Sequence, residues 1–294
     1  MKKIVALVLA AVLLFTFAAC TNNSNNNQNN TLSIADAKSL ADLKGMKIAA
    51  QAATFHEDAL TQIEDVKSST YPEFADLLTA LKSGAIDGYI AEEPTALSVT
   101  LSDSTLTYLA LKNNDTGFTA GKEDTGIAIA TKKGNELRDR IDAVLSEISE
   151  ETKAALMEQI VKMTAGEEVT DLALKSEAPA ETTGTLRVGM ECAYEPFNWT
   201  ETEETSFGCV PIYGEGKGGL YANGYDVQIA QYVANKLGLK LEVYAIEWDS
   251  LIHALNSGVV DAVVAGMSPT AERAKEVDFT QTYYESNLVI IIKK

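Results

Sequence analysis

The sequence predicts an α/β protein made of two related lobes that face each other across a cleft. Apolar runs with the period of buried strands alternate with amphipathic helical segments, one helix–glycine–strand unit occurs twice, and a polar stretch separates the two halves. At 294 residues, 46% of them hydrophobic, the chain is long enough to bury two hydrophobic cores.

The repeated unit comprises residues 74–91, FADLLTALKSGAIDGYIA, and residues 248–265, WDSLIHALNSGVVDAVVA. Seven of the 18 aligned positions are identical, among them Gly84 and Gly258. In each copy, apolar residues at helical spacing are followed by a glycine that can end the helix and then by a run typical of a buried strand. Because ligands of open α/β sheets gather where strands end, the two copies predict a cleft between facing strand ends.

The remaining elements complete two sheets. The predicted strands cover 47–51, 126–131, 185–190, 239–245 and 287–292, and the predicted helices cover 137–148 and 152–163. A further amphipathic helix is expected to begin with Asp226 as its cap and to end at Gly238. Residues 166–184 are acidic and polar and contain Pro179, so they are expected to form a linker.

The N-terminus has the pattern of an export signal. Two lysines precede an apolar run over 4–19, which is shorter than the roughly 20 residues needed to span a bilayer. The run ends in FAAC, which resembles a bacterial lipobox. Residues 1–19 are therefore predicted to be a signal peptide, and Cys20 is predicted to carry a lipid. An ordinary secretory signal is the alternative. The Asn-rich residues that follow predict a flexible tether over 20–33. The protein is therefore expected on the outer face of a bacterial cytoplasmic membrane, with the lipid as its only membrane contact.

Charge and residue usage argue against several classes of function. The 42 Asp and Glu residues against 24 Lys and Arg give a formal net charge of -18, which disfavours binding to nucleic acid. The two histidines, His56 and His253, lack the spacing of a metal site, so no metal is expected and His56 is interpreted as part of a polar first helical turn. For Cys192 and Cys209, a disulfide and two separate small apolar side chains are equally open alternatives.

Motifs in both halves of the chain carry a family resemblance. LRVGMECAYEPFNW, GYDVQIAQYVANKLGLKLEV and EWDSLIHALNSGVVDAVVAGMSPTAER resemble the first half of the polar amino acid-binding proteins of ABC importers, the extracellular solute-binding protein family 3. SLADLKGMKIAAQAATFHEDAL, LKSGAIDGYIAEEPTA and TGIAIATKKGNELRDRIDAVL come earlier in the chain and resemble the second half of the same proteins. The resemblance therefore implies a circularly permuted, two-lobed periplasmic-binding-protein-like fold of type II with a hinge. A truncated tandem pair is the alternative.

This resemblance implies a domain order. Lobe 2 is expected over 34–125, a hinge strand with helices packing on lobe 1 over 126–165, the linker over 166–184, and lobe 1 over 185–294. In such proteins two crossing strands join the lobes. One crossing is expected near 126–131, and the other at the break between Lys294 and Ser33, where only strand hydrogen bonds would hold the ends.

The resemblance also implies a site for a free amino acid. Arg273 would hold the carboxylate with its two-pronged guanidinium, Ser268 would donate a hydrogen bond, and the Gly266 carbonyl would accept one from the ammonium. Thr54, between a strand and a helix, would close on the same carboxylate, although taken alone it is an ordinary helix cap.

Four further residues are implied around the rest of the ligand. Glu92 stands where the family usually has an Asp that pairs with the ammonium, with neighbouring Glu93 as its rival, and Glu191 stands near the ligand side chain. Tyr194 and Trp248 would stack on that side chain, although core packing accounts for Trp248 nearly as well. Two carboxylates favour a cationic side chain such as Arg or Lys, and a Gln side chain is the open alternative.

The function implied is capture of an extracellular polar amino acid by hinge closure, followed by delivery to an ABC permease. No cofactor and no enzymatic activity are expected. An enzyme on the same scaffold, such as a cyclic acid dehydratase, is one alternative, but it needs a general acid or base at the ligand, and neither histidine aligns with the ligand loops. A ligand-sensing lipoprotein is the other alternative.

Overall fold

A computed structural model describes residues 33–204 and 208–294, and the strands in them form two sheets. The predicted signal peptide and Cys20 lie outside the described residues, as does all but the last residue of the predicted tether. Within the described part of the chain, no helix is both long and apolar enough to cross a membrane. The two sheets define the five-stranded lobe and the nine-stranded lobe.

The five-stranded lobe contains the first part of the described chain and the last strand. Numbered along the chain, its strands are β1 (Ile48–Gln51), β2 (Ser69–Tyr71), β3 (Gly88–Glu92), β4 (Leu106–Leu109) and β14 (Leu288–Lys293), in the order β2-β1-β3-β14-β4. Its helices are α1 (Phe55–Leu60), α2 (Phe74–Ser83) and α3 (Glu93–Ser102), with 3-10 turns at Ile34–Asp36 and Leu40–Leu43. β1 runs parallel to β2 and β3, whereas β14 is antiparallel to β3 and β4.

The nine-stranded lobe follows the short helix α4 (Lys122–Thr125). Its strands are β5 (Gly126–Lys132), β6 (Thr185–Met190), β7 (Ala193–Tyr194), β8 (Asn198–Glu201), β9 (Val210–Tyr213), β10 (Tyr221–Asn223), β11 (Lys240–Ala245), β12 (Ala262–Val263) and β13 (Val277–Glu285). Their order is β13-β5-β12-β6-β11-β9-β10-β8-β7. The helices are α5 (Leu137–Leu145), α6 (Glu150–Thr164), α7 (Tyr225–Lys236) and α8 (Leu251–Ser257), with 3-10 turns at Trp248–Ser250 and Arg273–Lys275. β6 is parallel to both neighbours, so its carboxyl end meets theirs at one edge of the sheet.

The repeated unit folds as predicted in both lobes. The helices α2 and α8 each end at a glycine in the left-handed conformation, with φ of 79° at Gly84 and 80° at Gly258, and a buried strand follows. The identical aspartates also have one role, since Asp87 and Asp261 each accept a backbone N–H near the start of the neighbouring strand, at 2.8 and 2.9 Å. Each carboxylate ties the turn before its own strand to the next strand of the sheet.

Most predicted elements are present, and the expected cap of α7 is wrong. The five predicted strands are confirmed to within one residue at each end. At α7, Gly224 with φ of 126° occupies the capping position, and a Cβ there would lie 2.3 Å from the carbonyl oxygen of Phe197. Asp226 lies inside the first turn and is fully buried, bonded to Asn198 and Tyr283 of distant strands. A capping pattern is local, and it could not report those partners.

The predicted linker lies against the nine-stranded lobe. Residues 166–184 contain no helix or strand, as expected. Leu172 and Leu174 nevertheless pack on the core, and the side chain of Gln159 donates to the Asp171 carbonyl at 2.9 Å. The segment is therefore held in place along α6 by specific contacts.

The chain crosses between the lobes twice, and the second crossing differs from the prediction. The first leads through Gly126 into β5, as expected. The second runs from β13 through residues 286–287 to β14, which pairs with β3 and β4, so the assignment of 185–294 to one lobe is wrong at its last strand. Both crossings are covalent. The start of the described chain lies in the five-stranded lobe beside the last strand, where Ile34 packs on the core that contains β14 side chains.

Candidate functional site

A narrow cavity lies where strands of both lobes end. Its lining consists of Gln51, Thr54, Phe55, His56, Phe74, Glu92, Tyr194, Trp248, Gly266, Ser268 and Arg273. Seven of the eight residues implied by the family resemblance are among them, and the eighth, Glu191, is bonded to Gln51. The cavity measures about 20 Å³, room for about one water molecule, because groups of opposite lobes bond directly across it. This arrangement of the lobes therefore leaves no room in the cavity for a larger molecule.

Arg273 reaches across the cavity from the nine-stranded lobe. Its Nη1 donates to the Ser268 carbonyl at 2.9 Å, and its Nη2 donates to the Ala53 carbonyl at 3.1 Å. Its guanidinium carbon lies 5.1 Å from the centre of the Trp248 ring. Burial lowers the pKa of Arg273, and none of the ion pairs among the described residues includes it. A half-buried cation with only carbonyl partners can receive an anion.

Ala53 and Thr54 form a tight turn between β1 and α1. Ala53 has a φ of 57°, in the left-handed region that non-glycine residues rarely adopt, at a cost of about 1 kcal/mol or more. Its carbonyl accepts the bonds from both Arg273 and the Trp248 indole, each at 3.1 Å. Thr54 caps α1 without a side-chain bond to the helix, and its hydroxyl donates to the Gln51 carbonyl at 2.7 Å. The strained turn thus presents its carbonyl to two donors of the opposite lobe.

Glu92 is the buried carboxylate of the cavity. At the end of β3 it lies 3.0 Å from Nε2 of His56 and accepts the hydroxyl of Tyr194. Its rival Glu93 lies outside the lining, where it accepts the side-chain amide of Asn287 at 3.2 Å. Of the two neighbouring carboxylates, Glu92 is therefore the one that faces the cleft.

His56 lies in the first turn of α1, as predicted, and its side chain also belongs to the site, which was not predicted. The side chain is 5% exposed and lines the cavity, and its Nδ1 has no hydrogen-bond partner among the described residues. The ring packs edge-on against Phe74, with ring centres 5.8 Å apart. The sequence around His56 contains no second group to mark it, because its partner Glu92 comes close only through the pairing of β1 with β3.

Aromatic side chains of opposite lobes close one side of the cavity. Tyr194 stacks on Phe74 with ring centres 4.2 Å apart and planes 11° apart. Phe74 is the residue that aligns with Trp248 in the repeated unit, and both line the cavity. That correspondence is the sequence signal by which Phe74 could have been found. Gln51 and Phe55 flank the Thr54 turn and carry no comparable signal.

Glu191 lies beside the cavity, just after β6. Its Oε1 accepts the side-chain amide of Gln51 at 2.8 Å, while its buried Oε2 has no partner among the described residues. Burial raises the pKa of Glu191 to about 7. The negative charges of Glu73 and Glu247 also raise this pKa, whereas the hydrogen bond from Gln51 lowers it. A carboxylate in this setting gains free energy when a cation or a hydrogen-bond donor is placed beside it.

The two cysteines of the nine-stranded lobe are both buried, and no disulfide joins Cys192 to Cys209. Cys192 has a φ of 57°, and its backbone N–H donates to the side chain of Asn198 at 2.7 Å. Burial raises the pKa of the Cys192 thiol to about 12. In the described part of the chain, no group of three or more His, Cys, Asp or Glu side chains could hold a metal ion.

Known proteins resemble the C-terminal part of this chain. Residues 186–294 match the bacterial extracellular solute-binding proteins, family 3. The matched segment carries six of the eight implied site residues: Glu191, Tyr194, Trp248, Gly266, Ser268 and Arg273. The motifs quoted for the first half of the family thus lie in the segment that matches it.

Individual relatives match over a similar length. The chain is 37% identical over 109 residues to the arginine-binding extracellular protein ArtP of Bacillus subtilis (strain 168), a match covering 37% of this chain and 36% of ArtP. It is 34% identical over 115 residues to a probable histidine-binding protein of Campylobacter jejuni, covering 39% and 38%. The crystal structure of the ancestral amino acid-binding protein AncCDT-1, a precursor of cyclohexadienyl dehydratase, is 34% identical over 32% of this chain and 35% of its own, with a TM-score of 0.25. The chain thus spans about a third of the length of the relatives it matches.

Proposed function

We propose that this protein binds a polar amino acid between its two lobes and delivers it to the permease of an ABC importer. The observation that carries the proposal is Arg273, a half-buried cation at the cleft whose hydrogen-bond partners are carbonyls. The binding proteins for arginine and histidine that match residues 186–294 support it.

The carboxylate of the amino acid would take the place of a carbonyl at Arg273. When the lobes separate, the bond from Nη2 to the Ala53 carbonyl breaks, while the bond from Nη1 to Ser268 lies within one lobe and persists. A carboxylate that accepts from the guanidinium makes a charge-assisted pair, which is roughly twice as strong as a bond to a neutral carbonyl. Replacement of Ala53 by the ligand is therefore favourable.

Glu92 supplies the opposite charge for the ligand ammonium. His56 belongs to the same lobe and holds one oxygen of the carboxylate before the ligand arrives, so little freedom is lost on binding, and Tyr194 of the other lobe takes the second oxygen when the lobes close. The Gly266 carbonyl, which belongs to the other lobe, would accept a second N–H of the ammonium. An amino acid held between them would bridge the lobes and shift the hinge equilibrium toward closure.

The side chain of the ligand would be cationic. The unpartnered Oε2 of Glu191 lies beside Gln51, and two more negative charges, Glu73 and Glu247, act on the same group. An arginine or lysine side chain would supply the missing donor and the opposite charge. A glutamine ligand would supply a donor without the charge, so the two classes differ in how strongly they depend on ionised Glu191.

Export, lipid attachment and permutation belong to the same proposal. Lipid on Cys20 would hold the protein at the outer face of the membrane beside its permease, with the residues up to 33 as a tether. The permutation is supported by the neighbouring chain ends in the five-stranded lobe and by family motifs that occur in reversed order. Residues 166–184 would then connect the two ends that the unpermuted family leaves free.

A screen of the purified protein against the twenty amino acids tests the proposal. A ligand at about 100 times its dissociation constant adds about 2.7 kcal/mol to the free energy of unfolding, which thermal denaturation detects. The thermal shift should disappear in Arg273→Ala and persist in Arg140→Ala, which removes an exposed arginine of α5. Chromatography of the released ligand should return the same compound, because binding proteins do not alter their cargo. A protein stabilised by none of the twenty would contradict the proposal.

A further inference from the structure

A fully buried carboxylate lies beneath the candidate site. Asp226, in the first turn of α7, has 0% of its surface exposed. Its Oδ1 accepts the hydroxyl of Tyr283 at 2.6 Å, and its Oδ2 accepts the side-chain amide of Asn198 at 2.8 Å. Burying a charge among apolar neighbours is costly, so a carboxylate kept here needs both of these donors.

The bond to Asn198 connects Asp226 to a loop of the cleft. Asn198 donates to the carboxylate through its Nδ2, and its Oδ1 accepts the backbone N–H of Cys192 at 2.7 Å, next to Glu191. The Glu191 loop (residues 191–194) is therefore held by the carboxylate through one side-chain amide.

The residue held in this way has a left-handed backbone, since Cys192 has a φ of 57°. For a non-glycine residue this conformation persists only when its surroundings hold it. Loss of the central acceptor would therefore release a strained residue next to Glu191.

We propose that Asp226 is a positioning residue of the amino-acid site, which holds the Glu191 loop through Asn198. The assignment rests on the proposed function only for the identity of the ligand. It explains why a carboxylate without a cationic partner among the described residues lies under the loop, since its two oxygens accept from Asn198 and Tyr283 at once, which an apolar side chain cannot.

The titratable groups facing Asp226 come from every element around it. They are Tyr283 on β13, Tyr225 on α7, Cys192 before β7 and Glu92 across the cleft. Burial raises the pKa of Asp226 to about 6, the hydrogen bonds from Tyr283 and Asn198 oppose that change, and the charge of Glu92 adds to it. Ligand affinity should therefore fall as the pH falls through about 6, and this part of the pH profile should be absent without the carboxyl group.

A pair of substitutions tests the bond network directly. Asn198→Asp keeps the shape and the acceptor for Cys192, but it places a carboxylate against the carboxylate of Asp226, so the bond between positions 198 and 226 is lost. In the double variant Asp226→Asn with Asn198→Asp, the carboxylate introduced at position 198 accepts both from the amide introduced at position 226 and from the backbone N–H of Cys192. The connection is then restored with donor and acceptor exchanged.

Two measurements follow the loop with and without ligand. Hydrogen exchange resolved to single amides reports Cys192 in the unliganded protein, and calorimetry reports the affinity for L-arginine from pH 5 to 8. At pH 8, Asn198→Asp should accelerate exchange of the Cys192 amide and weaken L-arginine binding at least tenfold, and the double variant should return both toward wild type. The control, Asp261→Asn, removes a carboxylate that binds Arg187 away from the site and should alter neither.

The outcomes separate the two proposals. Unchanged exchange at Cys192 in Asn198→Asp, or a double variant no better than the single one, overturns the positioning role. If Asn198→Asp does not fold, Tyr283→Phe removes one donor of the Asp226 carboxylate and leaves its charge; faster exchange at Cys192 is then expected, and wild-type exchange there overturns the role. A wild-type protein that binds no amino acid contradicts the proposed function, while the exchange rates still decide whether Asp226 holds the Glu191 loop.

Discussion

Replacement of Glu191 by Gln should make the unliganded protein more stable at neutral pH while weakening its site. The substitution keeps the shape of the side chain and an oxygen that can accept the Gln51 amide. It replaces the buried Oε2, which has no partner among the described residues, and it removes the charge that burial disfavours. The wild-type carboxylate therefore opposes folding in the pH range where it is ionised.

The size and pH range of the effect follow from the raised pKa. Below pH 4.5 the carboxyl group is protonated in both the folded and the unfolded chain, and its contribution to stability is fully present. Between pH 4.5 and about 7 the unfolded chain has released the proton while the folded protein still holds it, so the contribution is lost as the pH rises. At about 1.4 kcal/mol for each tenfold change in proton affinity, the full loss is about 3 kcal/mol.

Urea denaturation at pH 5, 6, 7 and 8 measures this difference. The free energy of unfolding of Glu191→Gln should exceed that of wild type by an amount that grows with pH and reaches up to about 3 kcal/mol at pH 8. Glu151→Gln, an exposed glutamate of α6, should change stability by less than about 0.5 kcal/mol at every pH. A difference that is constant across the range, or a variant less stable than wild type at pH 8, would refute the reasoning.

Three further predictions concern the ligand, the hinge and the chain order. Arg273→Lys keeps the charge and loses the two-pronged donor, and Arg273→Ala loses both. Calorimetry should therefore show weaker amino-acid binding in each variant, by at least about 2 kcal/mol in Arg273→Ala. Wild-type affinity in Arg273→Ala would remove this residue from the site. At the first crossing, a Cβ on Gly126 would come within 2.6 Å of two neighbouring atoms, so Gly126→Ala should lower the free energy of unfolding by about 1–3 kcal/mol, whereas Gly218→Ala, where nothing lies within 4 Å, should change it little. A rearranged chain can be made by joining the last residue to Ser33 and opening the chain within 166–184. It should fold and keep its amino-acid affinity, because both ends to be joined lie in the five-stranded lobe. A rearranged chain that folds and loses the ligand would contradict the permutation.

The sequence by itself determined the secondary structure and the repeated unit. Burial imposes a period of about 3.6 residues on a helix and 2 on a half-buried strand, so both can be read from neighbouring positions. The glycines that end α2 and α8 follow from the same local rule, because a left-handed residue without a Cβ costs least there. The loops that directly follow such units, including the one with Gly266, Ser268 and Arg273, could be placed at the cleft because ligands gather where the strands of an α/β sheet end.

Choices between equivalent partners were decided only in three dimensions. Glu92 and Glu93 are neighbours of one type, and the strand end directs the first to His56 and the second to Asn287. Asp226 has the pattern of a helix cap, yet its carboxylate is taken by side chains from β8 and β13. Nothing in the spacing of these residues records which distant group meets them.

The last strand shows the physical reason most clearly. Residues 288–292 are all apolar and all buried, so they have no alternation of apolar and polar side chains that could match them to one sheet over another. β14 inserts between β3 and β4, where its backbone N–H and C=O groups find partners on both sides. The hydrophobic pattern decides that a segment is buried, because burial depends on each side chain; the lobe in which it is buried depends on backbone partners that only the assembled fold supplies.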